Sequence, residues 1–364
     1  MTAKVKPWIL EVEPYEPGKP IGELERELGI RGTVKLASNE NPLGPSPKAV
    51  EAVRRAVDGI HRYPDGASFG LRAALSEKLD VPGDHLVFGT GSDELLELLA
   101  KVYLEPGCEV VYAWPSFAMY PIVTLGMGAQ GVSVPLTDDR VHDLDAMLAA
   151  VTDRTQFVIV CNPNNPTGTS VGAAAFDDFA RALPRDVVLV VDEAYAEYAR
   201  RSDFPDALAW VRRRPNTIVL RTFSKVYGLA GLRVGYGISD PGLAGMLERA
   251  RHPFNVNLLG QVAACAALAD DAHLARSRET NARGAEHLAA ELAAMGIRTW
   301  PTDANFLMAE TGPGVDEALL PLGVIVRGMA GFGLPGCIRV TIGTAEENER
   351  FLKALATVRG GRGA

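Results

Sequence analysis

The chain has 364 residues, 47% hydrophobic and 23% charged, enough for two domains and a generous core, and its composition gives no case for disorder. A formal net charge of −8 argues against non-specific nucleic-acid binding, because phosphate backbones are held by clustered lysine and arginine. No run approaches the roughly 18 apolar residues of a membrane span, and Met1 to Leu10 lacks an apolar stretch of signal-peptide length, so a cytoplasmic protein is expected.

In chain order, the proline- and glycine-rich stretch from Pro14 to Pro20 suits an extended arm of the kind that packs on a neighbour, and Ile21 to Leu28 reads as a short helix. Apolar residues recur at helical spacing in Pro47 to Ile60 (Val50, Val53, Val57) and in Phe69 to Leu79. Strand and helix signals then alternate. Strand Leu86–Phe88 precedes a helix from Asp93 to Tyr103, strand Glu109–Tyr112 precedes a helix from Phe117 to Leu125, and strand Gln130–Val134 precedes a helix from Leu144 to Val151. Strands at Phe157–Cys161, Val187–Val191, Thr217–Leu220 and Val234–Gly237 follow. Such alternation predicts an α/β fold, a mostly parallel sheet with helices on both faces. The patch Arg212-Arg-Arg214, before a Pro-Asn turn, reads as a solvated helix end.

From Pro241 onward the character shifts to alanine-rich helices, Leu258–Leu268 and Ala272–Met295, and then to short strands near Phe306–Met308, Val324–Val326 and Ile338–Thr341. This predicts a smaller α+β domain. The expected division is an N-terminal arm, residues 1–35, that joins the small domain, a large domain at 36–250, and a small domain at 251–364. The tail Gly360 to Gly363 reads as disordered, and there is no internal repeat. Cys108, Cys161, Cys265 and Cys337 have no CxxC spacing, and His61, His142 and His252 have no metal-ligand spacing, so no metal site is expected.

Three of the apolar strands end in polar clusters. Phe157–Cys161 runs into Asn162-Pro-Asn-Asn-Pro-Thr-Gly168, Val187–Val191 into Asp192-Glu-Ala-Tyr195, and Thr217–Leu220 into Arg221-Thr-Phe-Ser-Lys-Val-Tyr-Gly-Leu-Ala-Gly-Leu-Arg233. Ligands of open α/β sheets sit at the carboxyl ends of strands, so an amide, a carboxylate with a phenol, and a lysine at three such ends predict one site. Pyridoxal phosphate needs that set: a lysine to form an imine and an acid beside the pyridine nitrogen.

With these clusters, the runs Ala37-Ser-Asn-Glu-Asn-Pro-Leu-Gly-Pro45, Tyr63-Pro-Asp-Gly66, Gly91-Ser-Asp-Glu-Leu-Leu96 and Cys337-Ile-Arg-Val-Thr-Ile-Gly343 complete a pattern that resembles the fold-type I aminotransferases, and within them the histidinol-phosphate aminotransferase group, over nearly the whole length. The resemblance implies a homodimeric enzyme with pyridoxal 5'-phosphate on Lys225. That lysine first anchors the cofactor and then moves a proton between the substrate α-carbon and the cofactor. Asp192 would pair with the ring nitrogen, although an aspartate after a strand also suits a helix N-cap. Tyr195 and Asn165 resemble the residues that hydrogen-bond the ring oxygen. Gly91, Ser92 and Asp93 would offer backbone amides to the phosphate at a helix N-terminus, joined by Thr222, Ser224 and Arg233. Phe117 aligns with the aromatic that stacks on the ring, and is equally a core phenylalanine. Tyr63 resembles the tyrosine that reaches the neighbouring subunit's cofactor phosphate.

For substrate, Arg339 suits the α-carboxylate because a guanidinium fork matches it in two parallel hydrogen bonds, and Asn39 either supports that clamp or forms a turn. Tyr15 and Arg327 match positions that contact substrate in the histidinol-phosphate enzymes, with Arg327 supplying charge for a phosphate. The implied reaction takes an amino donor and 2-oxoglutarate, with histidinol phosphate as the first donor and aromatic amino acids as the alternative. A third reading is decarboxylation of a substrate such as threonine phosphate. A binding-only role would need a DNA-binding segment before residue 30, which the acidic, proline-rich start does not offer.

Overall fold

The computed structural model describes residues 4–15 and 18–362. Glu16 and Pro17 of the expected arm, and Gly363 of the expected disordered tail, lie outside the described residues. Among the described residues the strands are β1 (Val34–Leu36), β2 (Leu86–Gly89), β3 (Glu109–Trp114), β4 (Gln130–Pro135), β5 (Thr155–Cys161), β6 (Val188–Asp192), β7 (Thr217–Thr222), β8 (Gly235–Ser239), β9 (Arg298–Thr299), β10 (Phe306–Glu310), β11 (Val324–Gly328) and β12 (Cys337–Thr341). The helices begin with α1 (Ile21–Leu28), α2 (Pro47–Ala56), α3 (Phe69–Leu79), α4 (Ser92–Tyr103), α5 (Met119–Gly126), α6 (Leu144–Ala149) and α7 (Ala173–Ala182). They continue with α8 (Ala207–Arg213), α9 (Pro241–Ala250), α10 (Leu258–Leu268), α11 (Asp271–Ala294), α12 (Val315–Leu319) and α13 (Ala345–Arg362).

Seven strands form the large sheet in the order β2-β8-β7-β6-β5-β3-β4, and only β8 runs antiparallel to its neighbours. The fold is therefore the expected α/β type. The middle stretches of the central strands, Phe157–Cys161, Val188–Val191 and Ile218–Leu220, are continuously apolar because both faces are covered. Alternation sends Val158, Val160, Leu189, Val191 and Val219 into one core, and Phe157, Ile159, Val188, Val190, Ile218 and Leu220 into the core on the opposite face. Helix starts follow local capping chemistry: Ser46 caps α2 with Pro47 at its first position, and Asp143, Asp206, Asp240, Asn257 and Asp270 cap α6, α8, α9, α10 and α11 through their side chains.

The second sheet, β1-β11-β12-β10-β9, packs Leu307, Val324, Val340 and Ile342 against Leu288 and Leu292 of α11 and Phe351 and Leu355 of α13. Through β1, which pairs in parallel with β11, the N-terminal segment joins this sheet, while Trp8 donates its indole N–H to the Gly126 carbonyl at the end of α5.

Three expectations change. Val256 and the α10 residues Ala263, Ala264, Ala267 and Leu268 pack in the core of the large sheet, so residues 251–270 side with the large sheet rather than the small one. The change of partner occurs within α11, whose Leu274 touches the large-sheet core while Leu288 and Leu292 lie in the small one, and we place the division there. Alanine enrichment marked close helix packing on α2, not a new domain. Arg214 is buried rather than solvated, its guanidinium donating to the carbonyls of Leu183, Pro184 and Val187. Residues 360–362 continue α13 instead of fraying.

Candidate active site

The carboxyl ends of β5, β6 and β7 lie side by side, with Cys161 opposite Asp192 and Asp192 opposite Leu220 in the register. Asp192 continues the series Val188, Val190 and therefore turns to the face covered by α5. There its Oδ2 accepts from the Tyr120 hydroxyl at 2.8 Å and its Oδ1 from the Ala194 N–H at 3.2 Å. Burial pushes its pKa up to about 6, with those two donors restraining the rise. Glu193 follows the other face and is closed off by Arg221, whose guanidinium meets Oε2 at 2.8 Å. Of the two adjacent acids, only Asp192 faces the cavity.

That cavity has a volume of about 220 Å³ and is lined by Tyr15, Asn39, Ser92, Asp93, Phe117, Asn165, Asp192, Tyr195, Thr222, Ser224, Lys225, Arg233 and Arg339. Lys225 leaves the turn after β7 with its Nζ 3.4 Å from the Ser38 carbonyl and 5.4 Å from the centre of the Tyr195 ring. Burial, reinforced by the positive charge of Arg339, lowers its pKa to about 8. A lysine so placed is a usable nucleophile and base near neutral pH.

Arg339, on β12, donates to Asn165 Oδ1 at 2.5 Å and to the Ala37 carbonyl at 2.7 Å, and lies over the Phe306 ring. Among the described residues its Nε is buried without a partner, an unmet donor of the kind that a bound carboxylate satisfies. Asn39 adopts a left-handed backbone (φ 57°). It is fixed by Thr341, whose hydroxyl accepts from its backbone N–H and donates to its Oδ1. Its Nδ2 then donates to the Tyr195 hydroxyl at 2.9 Å.

At the other end of the cavity α4 presents its N-terminus. Gly91 precedes it with φ 78°, and a Cβ there would fall 2.4 Å from Arg233 Nη2. A Cβ at Gly235 would fall 2.2 Å from the Ser92 nitrogen. Only glycine at these two positions lets strand, helix start and guanidinium close together. Arg233 donates to Ser224 Oγ at 3.1 Å and faces Asp93 Oδ2 at 3.3 Å. A helix N-terminus, two hydroxyl residues and an arginine form an anion cradle.

Gly91, Arg327 and Tyr63 are the expected site residues that do not line the cavity. Gly91 acts through backbone shape. Arg327 sits directly opposite Arg339 in the antiparallel β11–β12 register, which puts both side chains on one face. Its guanidinium lies 5.7 Å from the centre of the Tyr15 ring, and no carboxylate pairs with it among the described residues. Tyr63 is 83% exposed and stacks on Phe254 at 4.7 Å, away from its own cavity.

Ser38, Met119, Cys161 and Ala194 also line the cavity, and Tyr120 reaches Asp192 from beneath; the sequence reading named none of these for the site. For Tyr120 a signal existed: its three-residue offset from Phe117 puts the two rings together, and they meet edge to face at 5.7 Å.

Comparison with known proteins agrees with this geometry. The model of aminotransferase class I and II matches residues 31–355. The chain is 50% identical to histidinol-phosphate aminotransferase of Moorella thermoacetica, covering 98% of this chain and 93% of that protein. It is 49% identical to histidinol-phosphate aminotransferase 2 of Pseudomonas aeruginosa, with 98% of each covered. Among solved structures, the histidinol-phosphate aminotransferase of Sinorhizobium meliloti in complex with pyridoxal-5'-phosphate superposes with a TM-score of 0.90 at 31% identity, covering 98% of both chains.

Proposed function

The chain belongs to the class I and II aminotransferases, and from that premise we propose that it uses pyridoxal 5'-phosphate to move the amino group of histidinol phosphate to 2-oxoglutarate, giving imidazole acetol phosphate and glutamate. The cofactor suits the residues present: an amine with a lowered pKa, a buried acid facing the cavity, and an anion cradle at the far end. When bound, it supplies an aldehyde that captures the donor's amine and a ring that takes up the electron pair left as the α-proton departs.

Lys225 Nζ would hold the cofactor before turnover and, once free, would carry the proton away from the donor α-carbon. Asp192 would pair with the ring nitrogen and favour its protonated form. The Tyr195 hydroxyl, oriented by Asn39, and the amide N–H groups of Asn165, whose Oδ1 is occupied by Arg339, would serve the ring oxygen. Ser92, the α4 N-terminus, Thr222, Ser224 and Arg233 would hold the cofactor phosphate. Phe117, which rests on Tyr120, would cover the ring.

The observation that carries the choice of donor is the Arg327–Arg339 pair on one strand face. Arg339 is held by Asn165 and Ala37 and, among the described residues, its Nε has no partner, which suits the α-carboxylate of glutamate. Arg327 lies beside it, braced by Tyr15, which suits the second anion: a phosphate in one half-reaction and a side-chain carboxylate in the other. Decisive evidence comes from comparing histidinol phosphate, phenylalanine, tyrosine and threonine phosphate as donors with 2-oxoglutarate by kcat/KM. Histidinol phosphate is expected to lead, and a lead for phenylalanine overturns the assignment of donor without touching that of cofactor.

The exposed Tyr63–Phe254 stack is an apolar surface suited to a second copy of the chain. We therefore infer a homodimer in which Tyr63 serves the neighbouring cofactor phosphate, and a cytoplasmic enzyme. Among the described residues no helix is long and apolar enough to cross a membrane.

A further inference from the structure

Tyr120 is fully buried. Its backbone carbonyl is tied to the Thr124 hydroxyl at 2.7 Å, its ring supports Phe117 edge to face, and its hydroxyl ends 2.8 Å from Asp192 Oδ2. One side chain therefore props two of the groups that would contact the cofactor ring. Asp192 otherwise has little to favour its charged form. Around it stand the Cys161 thiol on β5, whose own pKa burial pushes up to about 12, the like charge of Asp93 on α4, Glu193 turned to the other face against Arg221, and the Tyr195 phenol. Lys225 lines the same cavity. Besides the Ala194 N–H, the Tyr120 hydroxyl is the hydrogen-bond donor that reaches this carboxylate.

We propose that Tyr120 is a positioning residue for the reaction: its hydroxyl holds the Asp192 carboxylate ionised and turned toward the ring nitrogen of the cofactor. The proposal rests on the cofactor reading above. A donor to the charged form lowers the pKa of a buried acid, so removing it lets Asp192 take up its proton at higher pH, and a protonated Asp192 no longer pairs with a protonated ring nitrogen. Cofactor affinity must then fail earlier on acidification.

The test is the affinity of the full-length chain for pyridoxal phosphate as a function of pH, followed by absorbance, for the native chain, Tyr120→Phe, Asp192→Asn and the double variant. Tyr120→Phe keeps the ring and its contact with Phe117. It is expected to move the acid midpoint of binding upward by on the order of one pH unit, the usual size for one hydrogen bond to a buried charge. In the Asp192→Asn background the same change is expected to leave the midpoint where it is. A purely structural role lowers affinity evenly across pH, so an unmoved midpoint in Tyr120→Phe overturns the proposal. So does a shift that persists without Asp192, because Tyr120 then acts through another group. A native chain that binds no pyridoxal phosphate at any pH overturns the cofactor reading as well, and the native titration alone reveals it.

Discussion

The two walls of the cavity are built differently. On the large-sheet wall, Asp192 and Lys225 follow adjacent strand ends within a continuous buried core, Asp192 held by the Ala194 N–H two residues on and by Tyr120, and Lys225 reaching across to the Ser38 carbonyl. The opposite wall is assembled from distant segments: Arg339 leans on Ala37 and Asn165, Asn39 on Thr341, and Arg327 on Tyr15. On the proposed function, the first wall would hold the cofactor and the second, with its guanidiniums, the anions of the substrates, a division between chemistry and selection.

The sharpest way to break the comparison is Lys225→Ala. Loss of the proposed anchor and base should lower transamination by at least roughly 10³-fold while leaving thermal unfolding close to native, since among the described residues the side chain has a single long hydrogen bond, to Ser38. Retained turnover would remove the large-sheet wall from the chemistry. Next in size is Arg339→Lys, which keeps the charge and loses the fork. A loss of roughly 10²-fold in kcat/KM for 2-oxoglutarate is expected, from one or two charge-assisted hydrogen bonds. Arg327→Gln should weaken 2-oxoglutarate whichever donor is used, and histidinol phosphate in addition. Steady-state kinetics should show histidinol phosphate falling roughly 30-fold relative to phenylalanine, in line with a lost charged hydrogen bond, and an unchanged ratio would mean that this arginine does not read the phosphate.

How far each wall could be read from sequence follows from the same difference. Asp192 and Lys225 were legible because each stands within a few residues of an apolar strand, so local pattern and period-two alternation fix their direction. The pairing of Arg327 with Arg339 was not, because it is a fact of β11–β12 register, which no spacing within either strand reveals. Tyr120 was missed because its partner is 72 residues away. The place of α10 was misread because alanine content reports how closely a helix packs and not which sheet it packs on. The helix α13 carried a usable signal in Phe351, Leu352, Leu355 and Val358, a helical stripe whose polar flanks obscured it.

A smaller effect tests how the walls communicate. Lys225 titrates at about 8 in part because of Arg339. Capture of pyridoxal phosphate needs the neutral amine, so its rate should fall about tenfold per pH unit below 8 and level off above it. Replacing Arg339 with Gln removes a cation, raises the lysine's pKa and should move that break to higher pH. A break that stays fixed would assign the lowered pKa to burial alone.

The smallest expected effect lies where the walls join. Asp303, just before β10, donates its N–H to the Gly168 carbonyl at 2.8 Å, accepts from the Arg200 N–H at 2.9 Å and from the Arg201 N–H at 3.3 Å, and takes the Ser170 hydroxyl. Gly168 must be glycine there, since a Cβ would fall 2.4 Å from Thr302 Oγ1. This joint ties the small sheet to the loop that carries Asn165, and through Asn165 to Arg339. Asp303→Ala keeps the N–H to Gly168 and removes the carboxylate, which is partly solvent-exposed, so the expected loss is about 1–2 kcal/mol of stability by denaturant unfolding. If the joint also holds the substrate wall in place, KM for 2-oxoglutarate should rise a few-fold while kcat and cofactor affinity stay near native. A fall in kcat alone would show that the large-sheet wall depends on the joint, and the two walls would then have to be treated as one.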